Sequence, residues 1–185
     1  MVKRAKPKKG KNLLLPRLTI VLGILLMIFS VVWKIDRGSL GFQNQPEPVK
    51  QFNIESRKPL GIKIAKAKID LRIEESFITS GNWEVSKNGV SHLNTSGVPG
   101  NDSNIVLYGH NKSNILGTLS AVSIGDEILI TTRDSVTHRY IVKSVEVVSP
   151  SRVDVINPTD KEVLTIYTCT GFLDSKRLVV KAEPV

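Results

Sequence analysis

Three residues that lie far apart in the sequence have side chains suited to acyl-transfer chemistry. Cys169 is the only cysteine among the 185 residues, and it ends the β-like run VLTIYTC. Arg177 opens the next apolar run, and His110 follows the run IVLYG. A thiol can attack an amide carbonyl, an imidazole can carry the proton, and a guanidinium can stabilise the oxyanion. Their positions at the ends of predicted strands favour a site that the fold assembles.

The single cysteine has two interpretations. It has no partner for an internal disulfide, so in an extracytoplasmic domain it is either an intermolecular link or a free reactive thiol. It could instead be an inert buried residue that packs as a small apolar side chain. The cysteine by itself favours the inert interpretation, whereas the residues around it favour the reactive one.

The sequence around these residues resembles the sortase family, the membrane-anchored cysteine transpeptidases of the bacterial cell surface. The run LTIYTC at residues 164–169 is similar to the family's Thr-Leu-x-Thr-Cys pattern, with Ile166 where leucine is usual. The Gly-His pair at 109–110, GVPG at 97–100 and LSAVSIGDEI at 119–128 resemble three further family motifs. The resemblance covers about residues 59–185.

This resemblance implies a role for each candidate residue. Cys169 would be the nucleophile, His110 the general acid and base, and Arg177 the group that stabilises the oxyanion. Thr168 would bind substrate or help to orient substrate or Arg177, although β-propensity alone also explains a threonine there. The substrate would be an LPxTG-like sorting signal cleaved between threonine and glycine. An amine acceptor, such as a cell-wall precursor, would then take the acyl group from the enzyme.

The other two histidines, and the lysine next to Arg177, are not predicted to take part in the reaction. His92 resembles a histidine that several sortases carry away from the reacting atoms, so we interpret it as structural or at the rim of a pocket. His138 is predicted to be solvated in a turn or at the start of a strand. Lys176 should point away from Arg177, because successive side chains of a strand face opposite sides.

No cofactor is expected from the sequence. It contains neither a cluster with metal-ligand spacing nor a Gly-rich phosphate loop. Some sortases use calcium, and Asp154, Asp160, Glu162 and Asp174 could supply oxygen ligands. We interpret these four residues as scattered surface carboxylates and predict no metal site.

The N-terminal region has the pattern of a membrane anchor. Residues 18–33 are apolar and uncharged, close to the short end of the roughly 17–25 residues that span a bilayer. The basic segment before them predicts a cytoplasmic N-terminus. A cleaved signal peptide is the alternative, but no Ala-x-Ala-like cleavage site follows Trp33. We predict a cytoplasmic tail at 1–17, a transmembrane signal-anchor helix at 18–35 and an extracytoplasmic stalk at 36–58.

The charge distribution argues against nucleic-acid binding. Residues 1–17 hold seven of the 26 basic residues and none of the 17 acidic ones, so most of the net charge of +9 lies there. The remaining 19 basic and 17 acidic residues nearly cancel. The basic excess therefore indicates topology and contact with the membrane surface, and the protein is predicted to reside in the bacterial cell membrane.

Residues 59–185 are predicted to form one mostly β domain. Alternation at Ile62 and Ile64 slips before residues 67–73, which indicates either two strands or one strand with a bulge. The pair Asn88-Gly89 predicts a hairpin between residues 83–87 and 90–93. Residues 114–121 could hold a short helix. Further strands are predicted at 105–108, 127–131, 139–148, 163–168 and 177–181.

Short strands at this spacing predict a sandwich or a closed barrel, and the pattern does not choose between them. The resemblance does: it implies an all-β, closed eight-stranded sortase-type barrel with at most short helices, preceded by one N-terminal transmembrane helix. Three functions follow for such a chain. They are a sortase that transfers to an amine, a sortase-like cysteine peptidase resolved by water, and a non-catalytic membrane-tethered binding module with an inert Cys169.

Overall fold

The computed structural model describes residues 22–27 and 55–185. Residues 22–27 are helical, and their large apolar side chains are exposed. Within these two ranges, no helix is both long enough and apolar enough to span a bilayer. The predicted tail at 1–17, most of the predicted membrane helix at 18–35 and nearly all of the predicted stalk at 36–58 lie outside the described residues.

Residues 55–185 fold into strands joined by turns and short 3₁₀ helices. The 3₁₀ helices are Glu55–Arg57, Leu119–Ala121, Val153–Ile156 and Phe172–Asp174. The strands are β1 (Pro59–Ile64), β2 (Ile69–Ser76), β3 (Ile78–Thr79), β4 (Asn82–Trp83), β5 (Val90–Leu93), β6 (Asn104–Gly109), β7 (Glu127–Thr132), β8 (Thr137–Val148), β9 (Val163–Thr170) and β10 (Lys176–Pro184).

Eight of these strands close into a barrel in the order β1-β2-β5-β6-β9-β10-β8-β7, with β7 paired back to β1. The β2–β5 and β6–β9 pairs are parallel, and the other pairs of the barrel are antiparallel. Strands β3 and β4 form a separate hairpin. The prediction of a closed eight-stranded barrel with only short helices is confirmed.

Apolar side chains cover both faces of the wall formed by β6 and β9. Ile105, Leu107, Leu164 and Ile166 belong to one buried cluster, together with residues of every other barrel strand. The alternate residues of the same two strands belong to a second cluster, formed by Leu93, Val106, Tyr108, Val148, Val155, Ile156, Tyr167 and Val179. Burial on both faces explains why these two strands read as continuous apolar runs.

The slip in alternation after Ile64 corresponds to two strands, as one of the two predictions stated. A turn at residues 65–68 joins antiparallel β1 and β2, and the Lys68 N–H donates to the Ala65 carbonyl at 3.1 Å. Lys68 has a φ of +54°. The short helix predicted within residues 114–121 is the 3₁₀ helix Leu119–Ala121.

The hairpin predicted at Asn88-Gly89 is wrong. Strand β4 pairs with β3, and β5 instead runs parallel to β2, with Val90 opposite Ile73. A Cβ on Gly89 would lie 2.7 Å from the carbonyl oxygen of Arg72. Glycine is therefore needed at this position because two backbones approach closely, not because a turn requires a positive φ.

Candidate active site

Cys169 and Arg177 are direct partners across antiparallel strands β9 and β10. Directly opposed residues project from the same face of a sheet, with Cβ atoms about 4.5–5.5 Å apart. The preceding pair in β9, Thr168 opposite Leu178, projects from the other face. Leu178 belongs to the first buried cluster, so the thiol and the guanidinium lie on the outer side of the barrel wall.

His110 follows strand β6, which runs parallel to β9. Gly109 pairs with Thr168, so His110 and Cys169 each come one residue after a paired position at the same end of neighbouring strands. The Thr168 hydroxyl donates to the Gly109 carbonyl at 2.8 Å in a buried contact. The fold therefore brings His110, Cys169 and Arg177 to one end of strands β6, β9 and β10.

The Thr168 side chain lies on the face of β9 opposite to the Cys169 thiol. It is 2% exposed, and its hydroxyl is engaged by the Gly109 carbonyl on the face opposite the thiol. The substrate contact of Thr168 remains a prediction. The bond to Gly109 supports a positioning role, because it ties the nucleophile strand to the residue that precedes His110.

The guanidinium of Arg177 is held against the turn that joins β9 to β10. Its Nη1 donates to the carbonyl oxygens of Asp174 at 2.9 Å and Lys176 at 3.0 Å. Arg177 is 4% exposed, whereas Lys176 is exposed on the other face, as strand alternation predicts. A buried guanidinium with a fixed orientation suits an oxyanion partner better than a mobile surface cation does.

The thiol of Cys169 is buried, and burial raises its pKa above the ordinary value. The positive charge of Arg177 acts in the opposite direction, and the Asp174 carboxylate raises the pKa further. The effect of burial on this pKa outweighs that of the Arg177 charge. At neutral pH the thiol is therefore protonated and needs a base to remove its proton.

His110 is half-buried, and burial lowers its pKa. The positive charge of Lys112 lowers this pKa further, while the Asp174 carboxylate raises it. The imidazole is thus mainly neutral at pH 7 and able to accept a proton. A protonated thiol and a neutral imidazole are a suitable pair for general-base activation.

An aromatic cluster lies on the same side of the barrel wall as the thiol. The rings of Tyr108 and Tyr167 stack with centroids 5.4 Å apart, and Trp83 meets them edge-on at 5.4 Å and 6.5 Å. The Tyr108 hydroxyl donates to the Glu84 carbonyl at 2.7 Å, which fixes the β3–β4 hairpin over the cluster. Sequence reasoning missed these residues, although strand alternation places Tyr167 on the same face as Cys169.

The other histidines lie away from this arrangement. His92 is 2% exposed, and its Nε2 lies 2.9 Å from the Gly97 carbonyl and 3.2 Å from the Ser96 hydroxyl. Burial lowers its pKa to about 4, as befits a neutral structural histidine that donates to a carbonyl. His138 lies near the start of β8, opposite Ile130, and is half-buried rather than fully solvated.

Two of the four carboxylates considered for calcium, Asp154 and Glu162, form hydrogen bonds with other protein groups. Asp154 binds Arg152 through two hydrogen bonds. Glu162 accepts hydrogen bonds from the Tyr140 hydroxyl and the Gly100 N–H. Within residues 22–27 and 55–185, no three His, Cys, Asp or Glu side chains are grouped so that they could hold a metal ion. That the protein needs no cofactor remains a prediction.

The family model described as Sortase domain matches residues 62–185, and the chain therefore belongs to the sortase family. The chain is 29% identical over 131 residues to Sortase A of Streptococcus agalactiae, covering 66% of this chain and 51% of that protein. It thus spans about half the length of that relative.

Three further relatives agree with the assignment. The putative sortase YwpE of Bacillus subtilis is 33% identical over 88 residues, which cover 45% of this chain and 85% of that protein. The Sortase D5 transpeptidase of Clostridium perfringens superposes with a TM-score of 0.60 and 28% identity, covering 69% and 79% of the two chains. The lid mutant of Sortase A from Corynebacterium diphtheriae gives 0.59 and 26%, covering 69% of each chain.

Proposed function

We propose that this protein is a transpeptidase with Cys169 as nucleophile, His110 as general acid and base, and Arg177 as oxyanion stabiliser. The observation that carries the proposal is the cross-strand pair of Cys169 and Arg177. His110 lies at the end of the neighbouring strand, tied to β9 by the Thr168–Gly109 bond.

In the first half-reaction, His110 takes the thiol proton as the sulfur of Cys169 attacks the scissile carbonyl carbon. The carbonyl oxygen becomes negatively charged, and Arg177 stabilises it. The C–N bond then breaks, His110 returns its proton to the departing amine, and a thioester remains on Cys169. The fixed guanidinium acts only on charge that develops in the transition state, so it should affect turnover more than binding.

The substrate in this proposal is an LPxTG-like sorting signal, cleaved between threonine and glycine. An amine acceptor, such as a cell-wall precursor, resolves the thioester and anchors the protein at the cell surface. Membership of the sortase family supports this class of substrate and an amine acceptor. The exposed apolar side chains of helical residues 22–27 support a membrane anchor at 18–35, with the barrel outside the membrane.

The decisive experiment is to trap the thioester on the purified full-length protein. With a sorting-signal peptide, mass spectrometry should detect an adduct on Cys169 whose release is faster when an amine is added. Cys169→Ala should form no adduct while its thermal unfolding stays close to that of the wild type, because alanine keeps the small volume. Substantial turnover by the alanine variant would refute the mechanism.

The same assay separates the two alternatives. A peptidase resolved by water would form the adduct but release it at a rate that added amine does not change. A binding module would form no adduct, and its Cys169 would resist a small thiol reagent at neutral pH until the protein is denatured.

The membrane anchor is tested by protease digestion of protoplasts from a bacterial host that expresses the full chain. The basic segment before residue 18 is expected to remain inside the cell, so external protease should remove the barrel and spare the tail. A barrel that survives while added protease digests an external control protein would contradict this topology.

A further inference from the structure

Asp174 is a carboxylate fixed to the same turn that holds Arg177. The turn spans residues 171–175, and the Thr170–Lys176 pair closes it. The Asp174 N–H donates to the Gly171 carbonyl at 3.2 Å, and its own carbonyl accepts from Arg177 Nη1 at 2.9 Å. Its φ is +61°, an uncommon value for a non-glycine residue, and the residue is exposed. Its backbone is therefore tied to the guanidinium that faces the nucleophile.

The charge of Asp174 acts on both reacting groups. It raises the pKa of the Cys169 thiol and also that of the His110 imidazole. The other charges that act on these groups are Arg177 at the thiol and Lys112 at the imidazole.

This charge is a disadvantage for the first half-reaction, because a negative group near Cys169 opposes formation of the thiolate. It becomes an advantage only when a positive charge approaches the thioester. Primary amines carry that charge at neutral pH, since α-amino groups have pKa values of about 7.7–8.0 and lysine side chains about 10.4.

We propose that Asp174 forms the subsite for the acceptor's ammonium group and selects cationic amines over neutral nucleophiles. The inference rests on the proposed transpeptidase function. The ammonium gives one proton to neutral His110, and the freed lone pair attacks the thioester carbonyl carbon. A C–N bond forms, the C–S bond breaks, and the sulfur of Cys169 takes the second proton of the attacking nitrogen. His110 then releases its proton to solvent.

The test compares two acceptors on the full-length protein. Triglycine amide is cationic at pH 7, whereas hydroxylamine is mostly neutral. In Asp174→Asn, the ratio of kcat/KM for triglycine amide to that for hydroxylamine should fall by about two- to five-fold, the size of one charge interaction across a few ångströms of water. The fall should disappear at about 1 M salt, where screening acts within about 3 Å.

Asp102→Asn is the matched control. Asp102 is an exposed carboxylate that precedes β6, whereas His110 follows the other end of that strand, so the ratio should not change. If Asp174→Asn slowed both acceptors equally, Asp174 would act through the orientation of His110, and the subsite would be refuted. An unchanged ratio would refute it as well.

A second measurement does not depend on turnover. Cys169 is modified with a cationic and a neutral methanethiosulfonate of similar size, and the ratio of the two rates is compared between wild type and Asp174→Asn. A change in the amount of thiolate affects both reagents equally and cancels in the ratio. The ratio should fall in the variant, and a constant ratio would contradict the proposal. Failure of the proposed function appears separately, as the absence of a peptide adduct on wild-type Cys169.

Discussion

Arg177 faces Cys169 across the β9–β10 pair while its guanidinium is bound to two carbonyls of the adjoining turn. The thiol and the guanidinium are therefore held by neighbouring backbones and not by a flexible side-chain contact. An oxyanion partner fixed in this way needs no reorganisation when the charge appears, which is the source of its catalytic effect.

Replacement of Arg177 should reduce turnover more than peptide affinity. Loss of an oxyanion donor costs about 10²–10³ in rate. We expect Arg177→Ala to lose about this much in kcat, and Arg177→Lys to lose less, because lysine keeps the charge without the planar fork. The measurement is steady-state kinetics with a cleavable sorting-signal peptide, with thermal unfolding recorded for each variant because Arg177 is buried.

Lys176→Ala is the control for Arg177, since Lys176 is exposed on the opposite face of β10 and should behave like wild type. A loss confined to KM in Arg177→Ala would make Arg177 a binding residue. A larger loss of kcat in Lys176→Ala than in Arg177→Ala would mean that Lys176, and not Arg177, stabilises the oxyanion.

Thr168→Val should impair both stability and turnover. Valine keeps the shape of the side chain but cannot donate to the Gly109 carbonyl, which loses a buried partner. We expect the free energy of unfolding to fall by about 1–3 kcal/mol. Turnover should fall while KM stays nearly constant, because Gly109 positions His110. Urea unfolding and steady-state kinetics check the two effects.

Thr165→Val serves as the comparison on the same strand. The Thr165 hydroxyl is also buried, but it has no hydrogen-bond partner within the described part of the chain. Removing it should leave stability unchanged or raise it. Equal destabilisation by the two substitutions would argue against a specific role for the Thr168–Gly109 bond.

His92 should make stability decrease in mild acid. Its folded-state pKa of about 4 lies below the unfolded value of about 6.5, so the unfolded chain takes up the proton first as the pH falls. The contribution is complete above about pH 6.5 and is lost between about 6.5 and 4, in total about 3 kcal/mol.

Urea unfolding between pH 7.5 and 4.5 measures this slope. His92→Gln can still donate to the Gly97 carbonyl but does not titrate, so its curve should be flatter than that of the wild type. An identical slope in His92→Gln would assign the acid sensitivity to other groups.

Gly89→Ala should destabilise the barrel by about 1–3 kcal/mol, because the new methyl group would overlap the Arg72 carbonyl oxygen at 2.7 Å. Gly61→Ala in β1 is the matched variant. There the nearest atoms to an added Cβ lie at 3.8 Å and 3.9 Å, which is ordinary contact, and we expect little change. Thermal unfolding distinguishes the two, and equal stabilities would remove the steric explanation of Gly89.

Local patterns predicted the strands better than they predicted how the strands pair. Alternation located β1 and β2, because one face of each strand is buried. Richness in Val, Ile, Thr and Tyr located β9 and β10. Neither pattern showed that β5 runs parallel to β2, because strand partners are set by packing across the whole barrel. Asn88-Gly89 resembled a turn only because glycine serves both tight turns and close backbone contacts.

The site was predictable in its residue types but not in its electrostatics. The motif around Cys169 could be read from the sequence. The positions of His110 and Arg177 at the ends of predicted strands could also be read from it. The raised pKa of the thiol could not, because it depends on how deeply the folded chain buries the sulfur. Because side chains alternate along a strand, Thr168 must face inward if Cys169 faces outward. The sequence does not show which of the two residues faces outward.

Strand β10 lies between β8 and β9, with Arg177 opposite Val148 on one side and Cys169 on the other. Arg177 follows both His110 and Cys169 in the sequence, so the ribosome adds the guanidinium after the histidine and the thiol. A nascent chain that ends before residue 176 has the first two groups but an open barrel and no oxyanion partner. The order of synthesis thus leaves the thiol and the imidazole without the guanidinium until β10 has been made and inserted.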